Sequence, residues 1–247
     1  MNTKRPRATV EERMDHAATR QHPRLPLRMP VFCESPAVSV YRTVGLTQNV
    51  SRDGLLLEVP QPLAAGTSIN LLLLTGDRNA RAEAVVVWKA EDPPSRMGLK
   101  FTALTGGDLA TWERLLVLQA GPTPRASVRL PIALEVACRI PPDMRVTGQA
   151  ENISEGGLQL AVGQGLSPRT LLTVEIPPWF TLPAVEAEME VVWNRSAPTL
   201  ESVLHGLRFC SDDIGKELFL IGALLRQLVD SDEATPEGEG EQPLTEP

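Results

Sequence analysis

Arg24-Leu-Pro-Leu-Arg28, followed by Asn49-Val-Ser51-Arg-Asp-Gly54, is written into this chain a second time as Arg125-Ala-Ser-Val-Arg129 and Asn152-Ile-Ser154-Glu-Gly-Gly157. The leading arginines stand 101 residues apart (125 − 24), the asparagines and glycines 103 (152 − 49, 157 − 54). Further along, Val86-Val87-Trp88 returns as Val191-Val192-Trp193, and Gly98-Leu-Lys-Phe101 as Gly206-Leu-Arg-Phe209. Self-similarity at a fixed period describes architecture before it describes function. It predicts two copies of one fold, each carrying the same polar residues.

A chain of 247 residues holds two domains of ordinary size, and the repeat sets their boundary near its middle. The reading is a polar lead-in over residues 1–22, a first domain over 23–119, a linker at 120–124, a second domain over 125–230 and an acidic tail over 231–247. Apolar residues make up 42% and aromatics only 4%, so both cores rest on Leu, Val, Ile and Ala. The net charge of −7 gathers at the end, where Asp232, Glu233, Glu237, Glu239, Glu241 and Glu246 are interrupted by no Lys or Arg. That segment has almost nothing to bury and is expected to be disordered. The longest apolar helical stretch, 218–225, falls far short of the roughly 20 residues of a membrane span. Met1-Asn-Thr-Lys-Arg-Pro-Arg7 leads into no apolar segment, so no export signal is read and a cytoplasmic protein is expected.

The cysteines, Cys33, Cys138 and Cys210, are odd in number and dispersed. Cys33 aligns with Leu134 of the second copy and reads as a buried apolar thiol. His16, His22 and His205 are isolated, and no Cys-x-x-Cys or His-x-x-x-His occurs, so neither a metal nor a cofactor is expected.

From residue 28 short apolar runs alternate with Pro and Gly breaks. They predict strands at 28–34, 38–48, 55–59, 68–74, 82–89 and 97–101, then a helix at 108–119 carrying Leu109, Trp112, Leu115 and Leu116 at helical spacing. The second copy reads as strands at 128–140, 145–153, 158–161, 171–176, 186–194 and 204–209 and a helix at 213–230, with Asp212 or Asp213 as its cap. A short helix at 10–20 is expected in the lead-in. The fold class is therefore mainly β: two tandem six-stranded antiparallel barrels, each followed by a helix. Trp88 and Trp193 read as core anchors in matching strands. Trp112 and Trp179 are assigned no functional role.

Two arginines four apart on a helix are usually a solvated stripe. Here Pro23, Pro26 and Pro124 argue for an extended segment from which both guanidinium groups reach forward. Guanidinium presents planar paired donors that suit phosphate oxygens and the O6/N7 edge of guanine. Asn-x-Ser-x-x-Gly alone describes a strand-to-strand turn in which Asn and Ser bond nearby backbone and Gly takes a positive φ. On a strand, Asn and Ser two apart share a face. An amide oxygen there accepts from guanine N1–H and N2–H, and the hydroxyl reaches a phosphate. Both motifs together, twice, point to one repeated ligand site.

This combination, with its Val-Val-Trp and Gly-Leu-Lys/Arg-Phe strands, resembles the PilZ domain family, bacterial receptor modules for cyclic di-GMP. The resemblance covers about residues 24–119 and 125–230. It implies a six-stranded barrel with a C-terminal helix, no catalysis, and a ligand held between the arginine segment and the barrel face. Carried over by position, one site is Arg24, Arg28, Asn49, Ser51 and Gly54, and the other Arg125, Arg129, Asn152, Ser154 and Gly157. Pro23 and Pro124 stand where relatives often have a further arginine, which implies one ligand per domain rather than a stacked pair. Both copies carry Asn where many relatives have Asp.

The partners implied are cyclic di-GMP and an unidentified protein that responds to a change in interdomain geometry. Two alternatives stay open. In the first, one or both domains lack ligand and act as an interaction or dimerisation adaptor, which leaves a homo-oligomer open; in the second, the chain is a nucleic-acid-binding regulator. The near-neutral core and acidic tail disfavour the latter. No nucleophile elbow, phosphate-binding loop or metal-ligand spacing speaks for an enzyme.

Overall fold

The structure, a computed structural model, describes residues 22–38, 40–178, 184–196 and 202–232, with side chains of the last helix described as far as Leu225. The expected helix at 10–20, Trp179 and nearly all of the acidic tail lie outside the described residues. Packing divides the chain into two compact units, residues up to 73 with 79–126, and residues 74–78 with 127 onward.

The first unit is a closed antiparallel barrel of β2 (Pro30–Glu34), β3 (Arg42–Ser51), β4 (Gly54–Glu58), β5 (Ser68–Leu74), β6 (Asn79–Ala90) and β7 (Arg96–Ala103), with the two-residue β1 (Leu25–Pro26) added to β3. The helix α1 (Gly106–Gln119) follows. The period-2 pattern forms the barrel wall: along β6, Ala80, Ala82, Ala84 and Val86 are buried while Arg81 and Glu83 are exposed. Trp112 of α1 is fully buried; its Nε1–H donates to the Ser51 carbonyl at 3.1 Å and its ring meets Phe101 edge-on at 5.4 Å. That one side chain locks the helix to the end of β3.

The second unit is a closed barrel of β8 (Leu130–Ile140), β9 (Met144–Ser154), β10 (Gly157–Val162), β11 (Leu171–Ile176), β12 (Val185–Ser196) and β13 (Val203–Phe209). It is followed by α2 (Asp212–Asp232), which buries Leu218, Phe219 and Ala223. Asp212 and Asp213 both fall in its first turn, where they face the positive helix end. Among the described residues no helix is long and apolar enough to cross a membrane.

Pairing registers correct the equivalence of the two copies. Val31 of β2 pairs with Gly45, and Val136 of β8 with Gly148. Gly45 and Gly148 are 103 residues apart (148 − 45), whereas Val31 and Val136 are 105 apart (136 − 31). Cys33 therefore matches Cys138, not Leu134, and both thiols are buried. Burial pushes the Cys33 thiol up and the Cys138 thiol up to about 11. In the same register Arg24-Leu-Pro26 matches Arg129-Leu-Pro131.

The tryptophan expectation is also corrected. Trp88 is 40% exposed and Trp193 half-buried, so neither anchors the core. The cause is a β-bulge: pairing shifts between Val86 and Trp88, and again between Val191 and Trp193. An extra residue breaks the alternation, so Val87 and Trp88 both end on the outer surface although Val86 is buried. Each indole instead packs closely against a glycine of the neighbouring strand. A Cβ on Gly98 would collide with the Trp88 ring, and one on Gly206 with the Trp193 ring.

His205 is fully buried in the second barrel, and its Nε2 accepts from the Leu166 N–H at 2.8 Å. Burial holds its pKa below the usual 6.5. The folded state therefore disfavours the imidazolium, so its contribution is complete above the ordinary value and is lost as pH falls below it. We expect the second unit's unfolding midpoint to drop with acidification below about pH 6.5. His205→Gln should flatten that dependence in calorimetry.

Candidate functional site

The arginine segment is not a loose arm. Leu25 pairs with Val50 and Pro26 with Asn49, so β1 extends the edge of β3 that β2 occupies further along. The intervening turn is closed by Thr47, whose N–H donates to Met29 O at 2.9 Å and whose hydroxyl donates to Leu27 O. Arg24, immediately before β1, thereby reaches Asn49, and its Nη1 donates to Asn49 Oδ1 at 2.9 Å. Sequence reasoning placed these two in one site; the added strand is the device that joins them.

Arg28 turns elsewhere. Its Nη1 donates to Thr47 O at 3.1 Å and meets Glu58 Oε2 at 3.3 Å, both side chains being largely buried. Its N–H donates to Ala126 O at 2.9 Å. The buried Gln119 adds a clamp, donating from Nε2 to Pro26 O at 2.8 Å and to Arg125 O at 2.7 Å, while the Arg125 N–H donates to Gln119 Oε1 at 3.3 Å. Arg125 thus belongs with the first unit; Arg129 is exposed at the mouth of β8.

The corrected register exposes a residue the sequence reading missed. Arg125-x-x-x-Arg129-Leu-Pro matches Arg20-x-x-x-Arg24-Leu-Pro, so the first copy's leading arginine is Arg20, and Arg28 is matched by Ala133. The signal was legible: Leu-Pro directly follows the second arginine in both copies. It was obscured because Arg28 also stands four residues after Arg24. Arg20 lies outside the described residues. The residue before the leading arginine is then Thr19 in the first copy and Pro124 in the second, so neither copy has an arginine there.

The Asn-x-Ser-x-x-Gly turn is the same in both barrels. Ser51 Oγ donates to Gly54 O at 3.0 Å and Ser154 Oγ to Gly157 O at 3.2 Å. The expected positive φ is not found at these glycines; among the described residues Gly66, Gly76 and Gly106 carry it. The need for glycine is a close approach instead. A Cβ on Gly54 would strike the Leu99 carbonyl, and one on Gly157 the Leu207 carbonyl.

Around this turn the first barrel opens a cleft of about 210 Å³, lined by His22, Arg24, Ser51, Asp53, Gly54, Val87, Trp88, Gly98, Leu99 and Lys100. His22 Nδ1 lies 2.6 Å from Asp53 Oδ2 at its lip. Arg52 is drawn away to Glu113 of α1 at 2.9 Å. The cleft thus offers two long-chain cations, a wide aromatic face and polar main chain, a surface suited to a flat anionic ligand. In the second barrel Asn152 Nδ2 donates to Gln159 Oε1 at 3.1 Å, and Gln159 Nε2 to Glu151 Oε2 at 2.6 Å. Arg195 stands over the Trp193 ring at 5.4 Å. Among the described residues no group of three or more His, Cys, Asp or Glu could hold a metal.

The sequence model of the PilZ domain matches residues 18–118 and 123–229, most of the chain and both barrels. The chain belongs to the PilZ domain family. Solved structures similar to this tandem PilZ chain include the inhibitor of motility MotI/DgrA of Bacillus subtilis, at 16% identity over 85% of this chain and 98% of that one, with a TM-score of 0.33. YcgR of Escherichia coli, solved in complex with c-di-GMP, is similar at 12% identity over 84% and 88%, TM-score 0.36. The MrkH–c-di-GMP complex of K. pneumonia is similar at 12% identity over 83% and 90%, TM-score 0.35. No curated protein matches this sequence.

Proposed function

We propose that this PilZ protein is a non-catalytic receptor for cyclic di-GMP, taking one dinucleotide per barrel and passing the signal to a protein partner in the cytoplasm. The observation that carries the reading is the Arg24–Asn49 hydrogen bond at the edge of a cleft that also holds Trp88 and Lys100. Arg24 and Arg20 supply forked donors to phosphate oxygens. When Arg24 turns to a phosphate, it releases Asn49 Oδ1, which then accepts from the guanine N1–H and N2–H. The exposed Trp88 face gives a base a stacking surface. In the second copy Arg129, Asn152, Ser154 and Gly157 form the corresponding set, with Arg125 four residues before Arg129 in the chain. Arg28 supports the first set by fixing Thr47 and Glu58.

The serine argues against hydrolysis. Its hydroxyl proton is given to Gly54 O, while His22 is held by Asp53, so serine, histidine and acid do not form a relay. Signal transmission rests on the Arg125 segment, which continues the connection at 120–124. Its rearrangement on the ligand changes the surface offered to a partner. Small-angle scattering that is unchanged at saturating ligand would count against this step.

The test is titration of the full chain with cyclic di-GMP, followed by calorimetry and tryptophan fluorescence. Binding should quench the emission, and Trp88→Phe should remove most of that change while weakening affinity about three- to tenfold. No heat and no spectral change would end the receptor reading.

A further inference from the structure

The two motif faces differ in charge at a place set by the fold. In β3 the pairing with β4 shifts between Thr47 and Asn49, and in β9 the pairing with β10 shifts around Glu151, which lies between the paired residues Ala150 and Asn152. A bulge of this kind breaks the alternation, so the residue before the motif asparagine shares its surface. In the first copy that residue is Gln48, and the residue paired with Asn49 is Leu56. In the second they are Glu151 and Gln159. Glu151 is tied to Gln159, and Gln159 to the Asn152 amide, as an unbroken row. Asn49 is instead gripped by Arg24.

We infer that the two sites are unequal, with Glu151, acting through Gln159, lowering the affinity of the second barrel for cyclic di-GMP so that the two barrels fill at different ligand concentrations. This rests on the receptor reading above. The ligand carries two phosphate charges, and a carboxylate on the same surface repels them. A glutamine at the same place, as in the first copy, does not. The row also spends the Asn152 N–H on Gln159 and holds Gln159 across the asparagine. The result is a molecule with two thresholds: the first barrel responds at low messenger and the second only when messenger is abundant. Glu151 is a specificity-setting residue that tunes a site, not one that assembles it.

The experiment is calorimetric titration of the full chain with cyclic di-GMP. Wild type should give two separable binding events. In an Arg24→Ala background, which silences the first barrel, Glu151→Gln should tighten the remaining event about five- to tenfold. That variant keeps the side-chain length and a hydrogen-bonding group opposite Gln159, so the change reads charge. The gain should shrink as salt is raised from low to molar concentration. Equal affinities at the two wild-type sites, or an Arg24→Ala, Glu151→Gln chain no tighter than Arg24→Ala alone, would overturn the inference while leaving the receptor reading standing. No binding by wild type at either barrel would overturn the receptor reading and this inference together.

Discussion

Arg24→Ala should weaken the first binding event about 100-fold and leave the unfolding midpoint nearly unchanged. The guanidinium is exposed and its hydrogen bond to the side-chain oxygen of Asn49 lies at the surface, so the folded state loses little. Surface substitutions of this kind cost at most about 0.5 kcal/mol. The ligand loses much more, since hydrogen bonds to charged groups contribute about 1.5–3 kcal/mol each and a forked guanidinium makes two. Arg28→Ala should show the opposite division. Its guanidinium bridges Thr47 O and Glu58 in a largely buried setting, and removing it leaves the Glu58 carboxylate without that cation. We expect about 1–3 kcal/mol of lost stability and only a few-fold change in affinity. Titration and thermal unfolding of both variants measure the contrast. Equal losses of affinity would restore Arg28 to the ligand-contacting set.

Gly54→Ala carries the largest expected cost to the fold. The new methyl would be driven into the Leu99 carbonyl, a backbone atom of β7 that pairs with β4 through Leu55. No side-chain rotamer relieves such a clash; two strands of a closed barrel must part. Overpacking in cores costs about 1–3 kcal/mol, and a backbone obstacle belongs at or above the upper end. At about 4–8 °C per kcal/mol for a domain of this size, the first unit's midpoint should fall by more than 10 °C. Gly157→Ala should do the same to the second unit, where the Leu207 carbonyl stands in the way. Differential scanning calorimetry should therefore show each variant shifting one transition. A shift below a few degrees would mean that the β4–β7 and β10–β13 pairings yield more easily than their geometry implies. Binding would be lost along with the barrel in both cases, so affinity alone cannot assign these glycines to the ligand.

What was legible in the sequence came from local, periodic features. Alternating apolar runs, turn residues and the repeat gave two barrels each closed by a helix, with β5 and β11 at their observed limits. The joint motif singled out Arg24, Arg28, Asn49, Ser51 and Gly54; Arg24, Ser51 and Gly54 line one cleft and Asn49 bonds to Arg24, while Arg28 turns to Thr47 and Glu58. Bulges and strand slips were not legible, because they arise when two strands are paired and leave no mark on either one alone. A single extra residue in β6 put Trp88 outside instead of inside. A two-residue difference between the copies moved the true counterpart of Arg125 from Arg24 to Arg20.

The chain by itself determined that there are two barrels and which polar residues each repeats, since composition and period act along the backbone. Only the tertiary structure decided which of those side chains meet. Cross-strand register sets the neighbours of a side chain, and register is a property of pairs: it joined Arg24 to Asn49, seated Trp88 on Gly98, and placed Glu151 beside Asn152 in one copy alone.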